Sequence, residues 1–329
     1  MEYTDRLIHG IRAGDRRAVA RTITLIDNED PIVDEIMAGL LPYSGNARVI
    51  GLTGPPGVGK STLTDVLVRY LRQIGQNVGV IAVDPSSPFS GGAILGDRVR
   101  MNAHALDPYV FIRSMGTRGS LGGLSRSTKR AIQTLDAYGC DTILVETVGV
   151  GQSELDVMYT VQTVVVVTSP AAGDQIQAAK AGIMEVADIF VVNKSDLPGS
   201  DRTVRQIEDM LDLTHKAWRP PIVRTILPQY QNQPTFQKED PIVSLWKAIC
   251  GHAEFLQTDA ATEVRKLKQA GQWVHLLLGE LDRQVRAAQA DLQKTIGQLP
   301  THSYQLEQLA KKLAKTFIAD LLGKKDNFS

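Results

Sequence analysis

Eight consecutive residues, 54–61, have the composition and spacing of a loop that binds phosphate groups. Their sequence is Gly-Pro-Pro-Gly-Val-Gly-Lys-Ser, and it lies between an apolar, strand-like segment (48–53) and a helix-like segment (62–71). The glycines let the backbone turn several N–H groups towards a phosphate, the Lys60 ammonium can bind the β- and γ-phosphates, and the Ser61 hydroxyl can ligate Mg²⁺. This context is typical of the P-loop of nucleoside triphosphate-binding proteins. The residues predicted to bind nucleotide here are Gly54, Pro55, Pro56, Gly57, Val58, Gly59, Lys60, Ser61 and Thr62.

A second segment indicates which base is bound. The apolar residues 189–192 lead into Asn-Lys-Ser-Asp at 193–196. The Asp196 carboxylate can accept hydrogen bonds from both N1–H and the exocyclic amino group of guanine, a donor pair that adenine lacks. Asn193 would hold the loop and reach guanine N7, and the Lys194 stem would lie over the base plane. Four such residues are common in ordinary loops, but after a strand and downstream of a P-loop they favour GTP over ATP.

Three carboxylates follow strand-like segments or lie in a glycine-rich stretch, where they could bind a metal ion beside the phosphates of a nucleotide. Asp84 and Glu146 end apolar segments, and Asp97 follows several glycines. Ligands bind beyond the carboxyl ends of parallel strands, and carboxylate oxygens are ligands that Mg²⁺ accepts. The structural alternative for each acid is a helix cap or a turn residue. The predicted metal ligands are Ser61, Asp84, Asp97 and Glu146.

The segment Glu-Thr-Val-Gly at 146–149 has the form of an Asp-x-x-Gly switch sequence with Glu in place of Asp. The Gly149 amide is a candidate sensor of the γ-phosphate, because glycine lets the peptide turn towards it. The next residue is Val150, where Ras-like proteins have the glutamine that orients water, so we expect slow intrinsic hydrolysis that a partner accelerates. The predicted catalytic residues are Lys60, Asp97, Glu146 and Gly149.

Strand-like and helix-like segments alternate after residue 48, and near-continuous valine and isoleucine runs suit strands buried on both faces of a parallel sheet. With the P-loop after the first strand, this order predicts an α/β fold, a three-layer αβα domain with a mainly parallel sheet. The strands expected after the first are 78–83, 109–113, 142–145, 163–167, 189–192 and 222–225.

Helical patterns flank this region. Asp15 and Asp30-Pro31 are helix-start signals near the N-terminus, and apolar residues recur at helical spacing after about residue 258. The C-terminal helices could pack back on the domain or form a surface for a partner or for self-association. The predicted division is an N-terminal helical extension at 1–45, a nucleotide-binding domain at 46–256 and a C-terminal helical region at 257–329.

The composition of the chain limits the kinds of partner that it could bind and the compartment in which it could lie. The 36 basic and 36 acidic residues balance, which argues against nucleic acid or an anionic membrane as the main partner. The two cysteines are far apart, no signal pattern begins the chain, and no apolar run approaches the length of a membrane span. We therefore expect a soluble, cytoplasmic protein.

Several further segments have distinctive sequences besides the motifs above. The motif Glu-Thr-Val-Gly-Val-Gly-Gln-Ser-Glu is particularly specific, and the full set of segments is 54–62, 82–88, 96–101, 114–124, 146–154 and 173–177. With these segments the chain resembles, from about residue 15 to 252, the MeaB/ArgK family of P-loop GTPases. Members are chaperones of adenosylcobalamin-dependent acyl-CoA mutases, of which methylmalonyl-CoA mutase is the best known.

The resemblance implies a GTPase that gates cofactor loading and protects the mutase. It implies Mg²⁺ held by Ser61 with help from the three carboxylates, switch loops around 97–101 and 146–154, and a coupling segment around 172–180. It also implies a homodimer built with the C-terminal helices, and a cobalamin adenosyltransferase as a second candidate partner. One departure is the polar Gln/Pro-rich loop after 225–228, where relatives have a short Ser-Ala or Ser-Gly loop at the guanine site.

Two alternatives stay open. A metallochaperone GTPase for another metalloenzyme would share the nucleotide motifs, but such proteins generally carry His-rich tracts or Cys-x-Cys sites, and the six histidines here are scattered. An ATP-dependent protein kinase would share the P-loop, but the Asn-Lys-Ser-Asp segment opposes it. Selective binding of guanine over adenine nucleotides would separate the kinase from the two GTPases.

Overall fold

The computed structural model describes residues 2–84, 104, 106–116, 123–147, 160–170, 186–213, 217–230, 233, 235–262, 264, 266 and 270. All of them lie in the first of two compact units, Met1–Gly279, and the second unit is Glu280–Ser329. The predicted helices beyond residue 270, Asp97, Gly149 and the segments 148–154 and 172–180 lie outside the described residues. The division at 45 and 257 stays a prediction.

The described residues form one sheet of seven strands. The strands are β1 (Arg48–Thr53), β2 (Val78–Asp84), β3 (Val110–Gly116), β4 (Thr142–Thr147), β5 (Thr163–Thr168), β6 (Ile189–Asn193) and β7 (Ile222–Thr225). All are parallel, and their order in the sheet is β3-β2-β4-β1-β5-β6-β7. Helices cover both faces, so the predicted three-layer αβα fold is confirmed.

Several strands run past their predicted ends. In β4 the ladder continues to Glu146, which pairs with Leu52 of β1, although the apolar run stops at Val145. All six residues of β4 and of β5 are buried, because helices cover both faces of the sheet. At its start β3 is shorter than expected: Tyr109 belongs to the preceding turn, where its N–H donates to the Asp107 carboxylate at 2.9 Å.

Seven α-helices have assigned bounds among the described residues. They are α1 (Tyr3–Arg12), α2 (Arg16–Asp27), α3 (Val33–Leu40), α4 (Lys60–Gln73), α5 (Gly123–Tyr138), α6 (Ser200–Asp212) and α7 (Pro241–Phe255). The Asp15 carboxylate caps α2 as predicted, accepting from Arg17 N at 2.8 Å. Helix α3 begins at Val33 rather than Pro31, because Asp30 first accepts from Ile32 N in a turn. Within this part of the chain, no helix has both the length and the apolarity to cross a membrane.

Two hydrophobic clusters lie on opposite sides of the sheet. On one side, α1, α2 and α3 share a cluster with α5, α6 and the sheet, and Ile11, Ile23 and Ile36 are fully buried in it. On the other side, α4 and α7 contribute Leu63, Leu67 and other residues to the second cluster. The central strand β1 and helix α4 are thus fixed by packing, and the P-loop joins them.

The Asp136 carboxylate on α5 anchors the segment that enters β1. It accepts hydrogen bonds from the backbone N–H groups of Gly45, Asn46 (3.2 Å) and Ala47 (2.9 Å), and Asp136 is buried. Hydrogen bonds to a buried carboxylate are among the stronger ones in proteins. Asp136 therefore fixes where β1 begins, and β1 leads directly to the P-loop.

We expect Asp136→Ala to lower the free energy of unfolding by about 2 kcal/mol, because it leaves the buried N–H of Ala47 without an acceptor and removes the bonds to Gly45 and Asn46. Urea unfolding of the full chain, followed by circular dichroism, measures this. Asp141→Ala is the matched control: its exposed carboxylate also accepts a backbone N–H, from Asn77 at 2.7 Å, but water can replace it. Equal losses in the two variants would contradict the anchoring role.

Candidate functional site

The P-loop lies at the carboxyl end of β1, and its glycines have conformations that other residues rarely adopt. Gly54, Gly57 and Gly59 have φ angles of +140°, +75° and +102°. A Cβ atom on Gly54 would lie 2.0 Å from the carbonyl oxygen of Val167 in β5, which is far inside any permitted contact. The loop can therefore wrap against the sheet only with glycine at this position.

Lys60 is the first residue of α4 and is buried. Its Nζ donates to the carbonyl oxygens of Gly54 at 2.6 Å and Pro55 at 3.0 Å. These bonds hold the ammonium against the loop and at the N-terminus of α4, where backbone N–H groups favour a negative ligand. The position fits the predicted role as a phosphate-binding cation.

Glu146 lies beside the start of α4 and is buried. Its Oε1 accepts from the Ser61 hydroxyl at 2.5 Å, and its Oε2 accepts from the Thr64 hydroxyl at 2.8 Å. Sequence reasoning missed Thr64. Its spacing of three residues from Ser61 places both hydroxyls on one face of the helix and could have indicated it.

The oxygens of Ser61 and Glu146 form a donor set suited to Mg²⁺, which binds one or two protein oxygens together with phosphate oxygens. Asp84 ends β2 at the same edge of the sheet, next to β4. Asp97 and Gly149 lie outside the described residues, so their roles stay predictions. Among the residues that the structure does describe, no group of three or more His, Cys, Asp or Glu side chains could hold a metal ion by itself.

Asn193 ends β6 and brings the second motif against the P-loop. Its Nδ2 donates to the carbonyl oxygen of Val58 at 2.7 Å, and its Oδ1 accepts from the Thr225 hydroxyl at 3.1 Å and from Leu227 N at 3.4 Å. It is buried. A Cβ atom on Gly59 would lie 2.4 Å from this Nδ2, so the two motifs are in direct contact.

Lys194, Ser195 and Asp196 follow Asn193 and complete the predicted guanine-binding motif. Lys194 has a φ of +55°, and its Nζ donates to the carbonyl oxygen of Gly57 at 2.9 Å. The N–H and hydroxyl of Ser195 both donate to Thr225 O, each at 3.1 Å. Asp196 is exposed, so its carboxylate is accessible to a base. Contact with guanine itself stays a prediction.

The Gln/Pro-rich loop contains an ordered, partly apolar structure. Leu227–Tyr230 forms a turn of 3₁₀ helix, and Tyr230 is fully buried. Its ring packs against Phe236 with centroids 5.8 Å apart, and Phe236 meets Tyr70 of α4 edge-on at 5.5 Å. The polar composition of the loop gave no indication that Tyr230 and Phe236 pack into the hydrophobic core.

Two of the described histidines are buried, and both have partners within the fold. His104 Nε2 lies 2.8 Å from an Asp65 oxygen, and His252 bonds to the Thr163 hydroxyl and lies 3.2 Å from Asp188. His215, His275 and His302 lie outside the described residues. None of the histidines that the structure describes belongs to a group of side chains that could hold a metal ion.

Comparison with known proteins places this site in a family. Residues 19–290 match the family described as methylmalonyl Co-A mutase-associated GTPase MeaB. A protein of Pyrococcus abyssi that bears a GTPase name is 51% identical over 270 residues, covering 80% of this chain and 81% of that protein. The GTPase ArgK of Escherichia coli is 42% identical over 193 residues, covering 57% of this chain and 58% of that protein.

A mouse mitochondrial protein and a crystal structure extend the comparison. The mouse protein, named methylmalonic aciduria type A homolog, is 38% identical over 242 residues, covering 68% of this chain and 58% of that protein. The crystal structure of LAO/AO transport system kinase has a TM-score of 0.67 and 25% identity, covering 95% of this chain and 99% of that chain. It has the same αβα fold.

Proposed function

Because the chain belongs to the MeaB family of GTPases, we propose that its nucleotide state controls a B12-dependent acyl-CoA mutase. In this proposal GTP binding and hydrolysis gate the loading of adenosylcobalamin and protect the mutase from inactivation. The mutase is methylmalonyl-CoA mutase or a close relative. The family description and the name of the mouse relative support this partner.

One observation carries the nucleotide part of the proposal. The Asn193 side chain bonds to the Val58 carbonyl, so the phosphate loop and the predicted guanine loop are in direct contact. A nucleotide with its phosphates against Lys60 and its base beside Asp196 would span the two motifs. GTP and GDP are the ligands that suit both ends.

We further propose that Ser61, Asp84, Asp97 and Glu146 hold Mg²⁺. When bound, this ion offsets the negative charge on the β- and γ-phosphate oxygens. Lys60 adds a second positive charge at the phosphate end of the site. Thr64 keeps the Glu146 carboxylate turned towards Ser61 through its bond to Oε2.

Slow hydrolysis follows from Val150, whose side chain cannot hydrogen-bond a water molecule. The Gly149 amide senses the γ-phosphate, and residues 172–180 transmit the nucleotide state to the mutase. Dimerisation through the C-terminal helices, a cytoplasmic location and a cobalamin adenosyltransferase as a further partner belong to the same proposal. The location follows from the sequence composition, and the dimer and the further partner follow from the resemblance to the family.

The test is GTP hydrolysis by the purified chain with and without methylmalonyl-CoA mutase. We expect a rate below about one per second alone and a rise of about tenfold or more with the mutase. Asp174→Ala and Lys180→Ala should keep GTP affinity within a few-fold but lose this rise. A mutase that neither binds the chain nor changes its hydrolysis rate would rule out the proposed partner, and a normal rise in both variants would exclude the coupling segment.

A further inference from the structure

We propose that Thr64 and Glu146 form a matched pair, in which the Thr64 hydroxyl is the reason that glutamate, and not the shorter aspartate, serves Mg²⁺ at position 146. Thr64 is a positioning residue, because it acts on the metal ion only through the Glu146 carboxylate. The inference rests on the Mg²⁺ site proposed above and deepens it. It explains the glutamate in the Glu-Thr-Val-Gly segment and gives a role to a threonine outside the predicted nucleotide-binding residues.

The end of β4 is fixed against its neighbours, so the reach of residue 146 depends on its side chain. Glu146 pairs with Leu52 of β1 and with Ala82 of β2. The next residue, Thr147, points to the opposite face of the sheet, where its hydroxyl donates to Thr53 Oγ1 at 3.2 Å. Both threonines are buried. The backbone at residue 146 therefore cannot shift towards α4 to make up for a shorter side chain.

The start of α4 presents two hydroxyl groups to the two oxygens of this one carboxylate. Ser61 and Thr64 are three residues apart and lie on the same face of the helix. Ser61 donates to Glu146 Oε1 at 2.5 Å, and Thr64 donates to Oε2 at 2.8 Å. The last torsion of a glutamate side chain has only a weak preference of its own. Two attachment points fix that torsion, whereas one would leave it free.

The Thr64 hydroxyl has one proton to donate and two acceptors within reach. The carbonyl oxygen of Lys60 lies 3.1 Å away, and Glu146 Oε2 lies 2.8 Å away. A carboxylate is the stronger acceptor, and a buried one is costly unless hydrogen bonds satisfy it. Glu146 is only 4% exposed, and Thr64 is fully buried. The proton therefore goes to the carboxylate in preference to the helix backbone.

The length of the side chain at position 146 decides whether both bonds can form. An aspartate lacks one methylene group and reaches about 1.5 Å less far, the length of one carbon–carbon bond. From the same backbone position it could not meet Ser61 and Thr64 together, because at least one bond would exceed hydrogen-bond range. Glutamate without Thr64 would instead keep the reach and lose the fixed orientation. Each of the two residues thus depends on the other.

The test measures how strongly a fluorescent, non-hydrolysable GTP analogue depends on Mg²⁺ for binding to the full chain. Thr64→Val removes the hydroxyl with little change of shape, and Thr64→Ala removes it without overpacking. Thr134→Val is the matched control. Thr134 is also a fully buried helical threonine, and its hydroxyl donates to the Arg130 carbonyl four residues earlier at 2.9 Å. Thermal unfolding of each variant checks that it is folded.

We expect Thr64→Val and Thr64→Ala to raise the Mg²⁺ concentration needed for half-maximal binding about tenfold, because the carboxylate loses its orientation. Binding of the analogue in EDTA should change less than about twofold. Thr64→Ser, which keeps the hydroxyl, should stay within about twofold of the wild type in both conditions, and Thr134→Val should change neither. A loss confined to the Mg²⁺ titration separates a positioning role from a general loosening of the P-loop.

A double variant tests the match between the two side chains. Glu146→Asp alone should raise the required Mg²⁺ concentration about tenfold or more. Adding Thr64→Val to it should raise that concentration less than about twofold further, since the shorter carboxylate no longer reaches the hydroxyl.

Losses that multiply in the double variant would overturn the inference, because the two residues would then act independently. An unchanged Mg²⁺ requirement in both Thr64→Val and Thr64→Ala would also overturn it, as would equal weakening with Mg²⁺ and with EDTA. If the wild-type chain bound the analogue equally well with Mg²⁺ and with EDTA, the proposed metal site itself would fail. That last result needs no variant, so the two failures are distinguishable.

Discussion

Lys60→Ala is expected to lower the affinity for GTP about a thousandfold. The substitution removes the buried cation that would bind the β- and γ-phosphates, and charge-assisted hydrogen bonds of this kind are among the strongest that a side chain makes. It also removes the bonds to the carbonyl oxygens of Gly54 and Pro55 that hold the loop. Calorimetric titration with GTP and Mg²⁺ measures the loss, and hydrolysis should fall with it.

Lys194→Ala is the control for this effect. Lys194 also donates from Nζ to a P-loop carbonyl, that of Gly57, but it is only partly buried and lies at the base end. Its removal should weaken GTP about tenfold. If the two alanine variants lost affinity equally, the phosphate-binding role of Lys60 would be wrong.

Asp196→Asn is expected to exchange the preferred base, weakening GTP about a thousandfold while improving xanthosine triphosphate. The carboxylate would accept two hydrogen bonds from guanine, and a site built for such a pair strongly rejects a ligand that leaves it unmatched. Xanthine has a carbonyl group in place of the amino group, and the asparagine amide can donate to it. Competition binding with the two nucleotides measures the exchange.

Asp201→Asn removes the same charge from a nearby exposed position. Asp201 pairs with Arg224 at 2.6 Å, in the first turn of α6. This variant should leave the ratio of GTP to xanthosine triphosphate affinity unchanged. A similar exchange in both variants would mean that net charge, and not a specific contact with the base, determines the preference.

The fold could be predicted from the sequence because the patterns that specify it lie in short, continuous segments. The valine and isoleucine runs defined the strands, and the P-loop between strand and helix set the order of the layers. Strand ends were predicted less well, since the polar residues Glu146 and Asn193 resemble loop residues until the neighbouring strand is known. The start of β3 was predicted one residue too early for a related reason: Tyr109 looks like a strand residue, but its N–H bonds to Asp107 in the preceding turn.

The contacts that position the site were mostly invisible to local patterns. Thr64 and Glu146, or Arg69 and Tyr230, are far apart in the chain, and nothing in the spacing of either residue specifies the other. The three N–H groups bound by Asp136 are another such case. Motifs indicate which chemistry a chain can perform, whereas the partners that hold the motif residues in place depend on how the chain folds.

The contact between Gly59 and Asn193 also limits how this chain can evolve. Any Cβ at position 59 would approach the Asn193 amide to 2.4 Å, and the φ of +102° would be strained as well. A shorter side chain at 193 would make room but would give up the bonds to Val58 and Leu227. Substitutions at the two positions are therefore epistatic. A substitution at either position alone would disturb the contact between the phosphate loop and the predicted guanine loop. We therefore expect the two positions to change together, although they are distant in the gene.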